Sequence, residues 1–297
     1  MRIFVTGASG WIGSAVVPEL VGAGHQVIGL ARSDASAAAI AATGAGVLRG
    51  DLDDRDTLRA GAANSDGVIH LAFIHDFTQF EASVQADRRA IEAMGVALEG
   101  SGKPLVIASG TLALPGRVAT ERDEHASDGP AAGRSANAQA TLDMAGRGVR
   151  SSVVGLPRTV HGEGDRHGFI PRLIGIARDK GVSGYVGDGS NRWPAVHVLD
   201  AARLFRLALE QAPAGSVLHA VADEGVPVGD IAEVIGRHLN LPTASLPAED
   251  FGFLGAILAV DQPASSVITR EMLGWQPTHP GLIDDLERGH YFHTQSE

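Results

Sequence analysis

Apolar positions change their period repeatedly along this chain, and each change marks a new element. Arg2 to Thr6 is a short apolar run of strand type. Ile12, Val16, Val17, Leu20 and Val21 then recur at helical spacing, and Gln26 to Leu30 returns to strand. The alternation continues with an alanine-rich helix over Ser33 to Thr43, a strand over Gly46 to Gly50 and a helix over Asp54 to Ala62. Gly67 to Phe73 is almost continuously apolar, as suits a central parallel strand covered on both faces. A long helix over Gln79 to Glu99 leads to a buried strand, Pro104 to Ser109. The polar, glycine-rich stretch Arg117 to Ser135 is a loop; a helix then runs to about Arg147 and a strand over Ser151 to Leu156. Strands alternating with helices predict an α/β fold with a doubly wound parallel sheet.

Beyond Gly164 the pattern loosens. Helices are expected over Ile170 to Arg178, from Asp200 (which would cap its own helix), over Gly229 to Leu239 and over Ala248 to Leu258. Strands are expected near Gly184 to Val186 and over Val217 to Val221, and two short helices between Ile268 and Phe292.

The first strand empties into Thr6-Gly7-Ala8-Ser9-Gly10-Trp11-Ile12-Gly13. Gly7 lets the chain reverse, Gly10 has no side chain to hold a pyrophosphate away, and Gly13 lets the helix lie close on the sheet. Free amides around Ser9 to Ile12 would then meet phosphate oxygens, with the Trp11 ring covering the cofactor. This is a dinucleotide-binding turn, and the fold is Rossmann-type. We assign residues 1–163 to the dinucleotide-binding domain and residues 164–297 to a smaller C-terminal substrate lobe that sends strands and helices back to the main domain.

At the tip of the second strand an acid would suit NAD. Here Ala31 is followed by Arg32 and Ser33, which favours the 2′-phosphate of NADP, with NAD as the alternative; a merely solvated Arg32 is the competing reading. Asp51, next to Leu52, stands where a carboxylate could receive the adenine amino group, or could cap the following helix. Leu71, Ala72 and Phe73 are small or apolar residues suited to pack on the cofactor. His75 beside Asp76 is a candidate proton-transfer pair. Ser109 and Thr111 end the next strand, where hydroxyls would face a substrate carbonyl or simply serve the turn. Trp193, near His197, is a candidate wall of the substrate pocket.

Composition removes several function classes. Hydrophobic residues make up 44% of the chain, enough for a large core, and the formal charge of -11 shows no basic stripe for nucleic acid. No apolar run approaches a membrane span, and the first strand starts too early for a signal peptide, so a cytoplasmic protein is expected. Without cysteine there is no disulfide and no thiolate metal site. His290 and His293 lack a nearby third ligand, and no Gly-x-Ser-x-Gly elbow offers a hydrolase nucleophile. The expected partner is a small-molecule substrate, and the expected state a monomer or homodimer.

Separate stretches then align with one family. The glycine turn, Gly50-Asp51-Leu52, His70-Leu71-Ala72, Ile107-Ala108-Ser109, Pro157-Arg158-Thr159-Val160-His161-Gly162 and Val196-His197-Val198-Leu199-Asp200 resemble the extended short-chain dehydrogenase/reductase superfamily, the NAD(P)-dependent epimerase/dehydratase-like group. The resemblance implies that Pro157 and Val160 help frame the cofactor. It also implies a catalytic tyrosine with a lysine four residues later on the helix after Ser109. Three registers, Pro130/Arg134, Ala131/Ser135 and Ala132/Ala136, supply neither, so the sequence resembles atypical members that lack the Tyr-x-x-x-Lys pair. Ser109, Thr111, Arg134 and His161 are the candidates to stabilise or protonate a developing alkoxide, and His161 also to touch substrate; a structural role for His161 is the alternative. The expected activity is reduction of a carbonyl, imine or activated alkene, with a silent cofactor sensor and a sugar-nucleotide epimerase or dehydratase as rivals.

Overall fold

Most of the apolar runs read as strands are strands in the computed structural model, which describes residues 1–75, 77–114, 116–123 and 132–293. The chain begins with β1 (Arg2–Thr6), α1 (Trp11–Gly22), β2 (Gln26–Ala31), α2 (Asp34–Ala42), β3 (Gly46–Arg49), α3 (Arg55–Ala63) and β4 (Gly67–His70). It continues through α4 (Phe80–Leu98), β5 (Pro104–Gly110), α5 (Ala132–Asp143) and β6 (Arg150–Leu156). The later part holds β7 (Thr159–His161), α6 (Phe169–Lys180), β8 (Ser183–Tyr185), β9 (Arg192–His197), α7 (Val198–Gln211) and β10 (Ser216–His219). Then come β11 (Asp223–Pro227), α8 (Val228–Leu239), β12 (Thr243–Ser245), α9 (Phe253–Leu258), α10 (Val267–Leu273) and α11 (Leu282–Glu287).

Seven strands form one sheet in the order β10-β6-β5-β4-β1-β2-β3, parallel throughout. The chain winds outward from β1 to β3 and then returns to β4 on the other side of β1. That reversal opens a crevice at the carboxyl ends of β1 and β4, where such sheets bind ligands. Alternation along β1 sends its side chains into two cores. Ile3 and Val5 meet Val16, Val17 and Leu20 of α1 and Phe205 of α7, while Phe4 meets Leu58 of α3 and Ile91 and Met94 of α4. Each such fully buried side chain contributes about 1.5–3 kcal/mol.

Beyond the sheet, β7, β9 and β11 form a three-stranded sheet and β8 pairs with β12. A third core, with Ile170, Trp193, Ile231, Leu254 and Leu282, lies under them. Two later elements belong to the main sheet: β10 extends it beside β6, and α7 packs into the α1 core. Among the described residues no helix is long and apolar enough to cross a membrane.

Four expectations are corrected. β4 stops at His70, so Leu71 to Phe73 form a loop at its tip. The helix expected over Ala248 to Leu258 is a 3-10 turn and α9, broken at Gly252 with φ +56°. Asp200 is not the cap of α7: the chain enters the helix straight from β9, and His197 Nδ1 accepts from the Leu199 amide. Asp200 is buried and receives the amides of Thr278 and His279, both at 3.0 Å. Asp51 is not a helix cap either, because Asp54 takes that position and accepts from the Thr57 amide at 3.0 Å.

Candidate active site

Two glycines of the turn, Gly7 and Gly13, leave no room for a side chain. Gly7 has φ +66°, and a Cβ there would stand 2.7 Å from the Ala72 nitrogen. A Cβ on Gly13 would stand 2.1 Å from the Gly7 carbonyl oxygen. Gly10 precedes α1 in extended backbone, with no side-chain cap and no acid in the first turn. The first amides of α1, after exposed Ser9 and Gly10, are therefore left at the positive end of the helix. Trp11 Nε1 donates to the Val160 carbonyl at 2.9 Å, tying this turn to the segment after β6, and Ile12 packs on the first core. An uncapped helix end behind a cradle that a Cβ would fill fits a pyrophosphate.

At the tips of β2 and β3, Ala31, Arg32, Ser33, Arg49 and Asp51 line one depression. Ala31 is buried and Arg32 exposed. Ser33 caps α2, reciprocally bonded with Ser36, and Arg49 pairs with Asp34. Asp51 accepts the amides of Asp53 and Asp54 at 2.9 and 3.1 Å, and Leu52 packs into the second core.

The tips of β4 and β5 carry the densest chemistry. Arg134, on the first turn of α5, lays its guanidinium over the Phe73 ring at 4.2 Å. Its Nη2 donates to the Ala108 carbonyl at 3.0 Å, beside Ser109, and its Nη1 to Asp87 Oδ2 at 3.0 Å. Asp87, in the middle of α4 and 2% exposed, also takes His70 Nε2 at 3.1 Å and Asn137 Nδ2 at 2.7 Å. Asp87 can only accept, so His70 carries its proton on Nε2. Nδ1 shares a hydrogen bond with the Thr6 hydroxyl at 2.6 Å, and that oxygen accepts the Ala72 amide at 3.3 Å. Burial alone would raise the Asp87 carboxyl, but the bonds and charges of His70, Arg134 and Asn137 outweigh it and hold the pKa below the ordinary value. One chain of hydrogen bonds thus joins the phosphate turn at Thr6 to the guanidinium at the strand tips.

His75 stands edge-on to Phe73, centroids 5.4 Å apart. Burial first, and the charge of Arg134 second, lower its pKa, so it is neutral near pH 7. Asp76, its proposed partner, and Pro130 and Ala131 of the two earlier registers lie outside the described residues. Ser109 is 7% exposed at the end of β5, and the Thr111 amide binds the Leu156 carbonyl at 2.9 Å. The lysines lie elsewhere: Lys103 precedes β5 at the opposite sheet edge, and Lys180 pairs with Asp250 at 2.8 Å. Tyr185 lies in β8, and the hydroxyl of Tyr291 accepts the Gly162 amide at 3.0 Å.

The strand tips do not gather every candidate. His161 is 0% exposed, with Nδ1 on Asp285 Oδ2 at 2.9 Å and Nε2 buried with no partner among the described residues. Its ring meets His197 edge-on at 5.4 Å, and His197 stacks on His279 at 4.8 Å. Burial and the neighbouring His161 hold His197 down to about 4. His290 completes the group on Asp285 Oδ1 at 3.2 Å. This cluster fastens the C-terminal part to β7 and β9. Pro157 is buried and Val160 half-buried. Trp193 is 0% exposed in the lobe core, so it stands behind Phe169, 5.9 Å away, and not at an open wall.

Sequence reasoning missed Asp87 and Asn137, and met His70 only within the family-like stretch His70-Leu71-Ala72. No pattern marks the first two, since Asp87 looks like one charge among several on a long helix.

Several known proteins are similar to this chain. C2A9.02 of Schizosaccharomyces pombe, described as an uncharacterized protein, is 49% identical over 98% of this chain and 100% of its own length. A 4-hydroxy-2-methyl-3-oxo-4-farnesyl-3,4-dihydroquinoline-1-oxide ketoreductase of Stigmatella aurantiaca is 29% identical over 77% of this chain and 70% of its own. The solved structure of MoeE5 in complex with UDP-glucose and NAD superposes with a TM-score of 0.76 at 25% identity, covering 96% of each chain. Relatives thus include both a reductase and a protein crystallised with a sugar nucleotide. Residues 3–221, which include the glycine turn and all of the parallel sheet but Arg2, match the NAD dependent epimerase/dehydratase family, and the chain belongs to that family.

Proposed function

We propose that the protein is an NADP-preferring oxidoreductase that reduces a small carbonyl, imine or activated alkene by hydride transfer, or oxidises the matching alcohol. The observation that carries this reading is the Arg134 guanidinium, which lies over the Phe73 ring beside His75 and binds the carbonyl of Ala108, the residue before Ser109, on the sheet edge that also presents the first amides of α1. A bound nicotinamide supplies the hydride. Gly7, Gly10, Gly13 and the α1 amides hold the pyrophosphate, while Leu71, Ala72, Pro157 and Val160 border the cofactor. The hydroxyls of Ser109 and Thr111 donate to the substrate oxygen, and Arg134 stabilises the negative charge that grows there. A guanidinium gives up no proton near neutrality, so the proton comes through a hydroxyl or water. Neutral His75 can orient substrate but adds no charge.

The preference for NADP rests on Arg32 at the tip of β2 with buried Ala31 in the place of an acid, and Arg49 near it. Arg32→Ala is expected to weaken NADPH about tenfold or more, the loss of one charge-assisted hydrogen bond, and to leave NADH within about twofold. Equal losses for the two nucleotides, in parallel fluorescence titrations, would remove the preference.

The UDP-glucose in MoeE5 is the specific ground for a second reading, a sugar-nucleotide epimerase or dehydratase. A nucleotide diphosphate needs converging cations, and the lobe arginines are engaged separately. Arg192 is held by Asp261 at 2.8 Å, Arg178 by the Phe292 carbonyl at 3.0 Å, and Arg172 lies over Phe253 at 5.4 Å. The decisive assay mixes protein and NADPH with ketones, imines and activated alkenes and follows NADPH absorbance. Tight NADPH binding with no turnover on any of them would replace the reductase by a cofactor sensor.

A further inference from the structure

Arg158 stands two residues beyond β6, at the sheet edge that carries Ser109, whose partner across the strands is Gly155. A guanidinium has five N–H donors in a planar fork. Here one is used: Nη2 donates at 2.6 Å to Oε1 of Gln262, a neutral acceptor. The Arg158 Nε is buried with no partner among the described residues, and so is Nε2 of Gln262, itself 3% exposed. The guanidinium carbon lies 5.8 Å from the centroid of Phe169, the ring backed by Trp193. Among the described residues no carboxylate pairs with Arg158. The adjacent acid, Asp261, is taken by Arg192, which binds it through Nε at 3.0 Å, Nη2 at 2.8 Å and its backbone amide at 2.8 Å.

Burial pulls the pKa of Arg158 below its usual value, though a guanidinium remains charged at any working pH. A half-buried cation that faces, among the described residues, only a neutral amide is stabilised by an anion arriving beside it. Arg192 is already neutralised by Asp261, whereas the Arg158 charge has no carboxylate partner among the described residues. One planar fork with one net charge matches a planar monoanion better than a diphosphate, which takes several cations.

We propose that the substrate of the reductase site carries a carboxylate, and that Arg158, with the Gln262 carboxamide, is the group that selects it. This rests on the reductase reading and names its substrate class. The keto group would lie toward Ser109 and Arg134, and the carboxylate toward Arg158, on neighbouring strand tips.

The test titrates the protein loaded with NADP⁺ with acetoacetate and with phenylglyoxylate, each beside its uncharged amide, and with inorganic pyrophosphate. The variants are Arg158→Gln and Arg158→Lys. At least one keto acid is expected to bind about tenfold or more tighter than its amide, to lose about tenfold or more in Arg158→Gln, and to regain part of that in Arg158→Lys. The affinity of Arg158→Gln for NADP⁺ should stay within about twofold of the parent, which shows that the variant is folded. Acid and amide binding alike, parent and Arg158→Gln binding alike, pyrophosphate binding best, or no keto acid binding to an NADP⁺-competent protein would each overturn the carboxylate site and leave the cofactor reading intact. A parent protein that does not take up NADP⁺ at all would overturn the reductase reading, and this inference with it.

Discussion

Gly13→Ala is expected to unfold at a temperature lower by roughly 6–12 °C and to bind NADPH at least about a hundredfold more weakly. The added Cβ would sit 2.1 Å from the Gly7 carbonyl oxygen and 2.7 Å from the carbonyl carbon and oxygen of Ala8. Those atoms are backbone in a tight turn, so no rotamer change relieves the contact, and α1 must move off β1. Overpacking of this kind costs about 3 kcal/mol, and each kcal/mol moves the midpoint of a chain this size by about 2–4 °C. The turn that has to shift is the one that aims the α1 amides, and losing two charge-assisted hydrogen bonds to phosphate accounts for about a hundredfold in affinity. Gly22→Ala is the control. It lies on the same helix, a Cβ there meets nothing within 4 Å, and the variant should be neutral or about 0.5–1 kcal/mol more stable. Normal NADPH affinity in Gly13→Ala would mean that this turn does not hold the cofactor.

The signals behind that turn are local. Strand, glycine spacing and helix lie within the first 22 residues, and their conformations follow from neighbours in the chain. The parallel sheet was legible for a similar reason, since strands buried on both faces show as nearly unbroken apolar runs. The lobe was harder. β7 and β8 are three residues long and β9 contains Pro194, so no period develops in them. The placement of Asp200 failed because the end of β9 coincides with the start of α7, and only the structure shows His197 in the capping position. Arg134 could be named from its position, but its setting could not. Its partner Asp87 is 47 residues away, on a helix rich in surface charges. What makes Asp87 different from Arg88, Arg89 and Glu92 is the face on which it lies, and that face was visible only as one polar interruption of an apolar stripe. Arg158 is similar: the sequence displays the residue within a family-like segment, while its lack of a carboxylate depends on Asp261 being claimed by Arg192.

Asp87→Asn is expected to destabilise the protein by about 3–5 kcal/mol, the range for breaking a buried charge pair. Oδ1 accepts from His70 and Oδ2 from both Arg134 and Asn137. An asparagine amide that keeps its oxygen toward Arg134 and Asn137 must turn its NH₂ toward His70, which then has to change tautomer, and the Arg134 cation loses its counter-charge. Arg134→Gln should separate differently. It keeps a donor for Asp87, so its stability cost is smaller, about 1–2 kcal/mol, but it removes the charge beside Ser109 and should lower kcat about 10²–10³-fold. The pH dependence follows from the lowered pKa of Asp87. Its contribution is complete above the unfolded carboxyl value of about 3.9 and is lost as pH falls through the still lower folded value. Urea unfolding should therefore give a gap between the parent protein and Asp87→Asn that is constant between about pH 5 and 8 and narrows below about pH 4. A gap that persists unchanged into acid would show that shape, and not charge, holds Arg134 over Phe73. In that case the guanidinium would have no electrostatic anchor, and the role given to it in the chemistry would have to pass to the hydroxyls of Ser109 and Thr111.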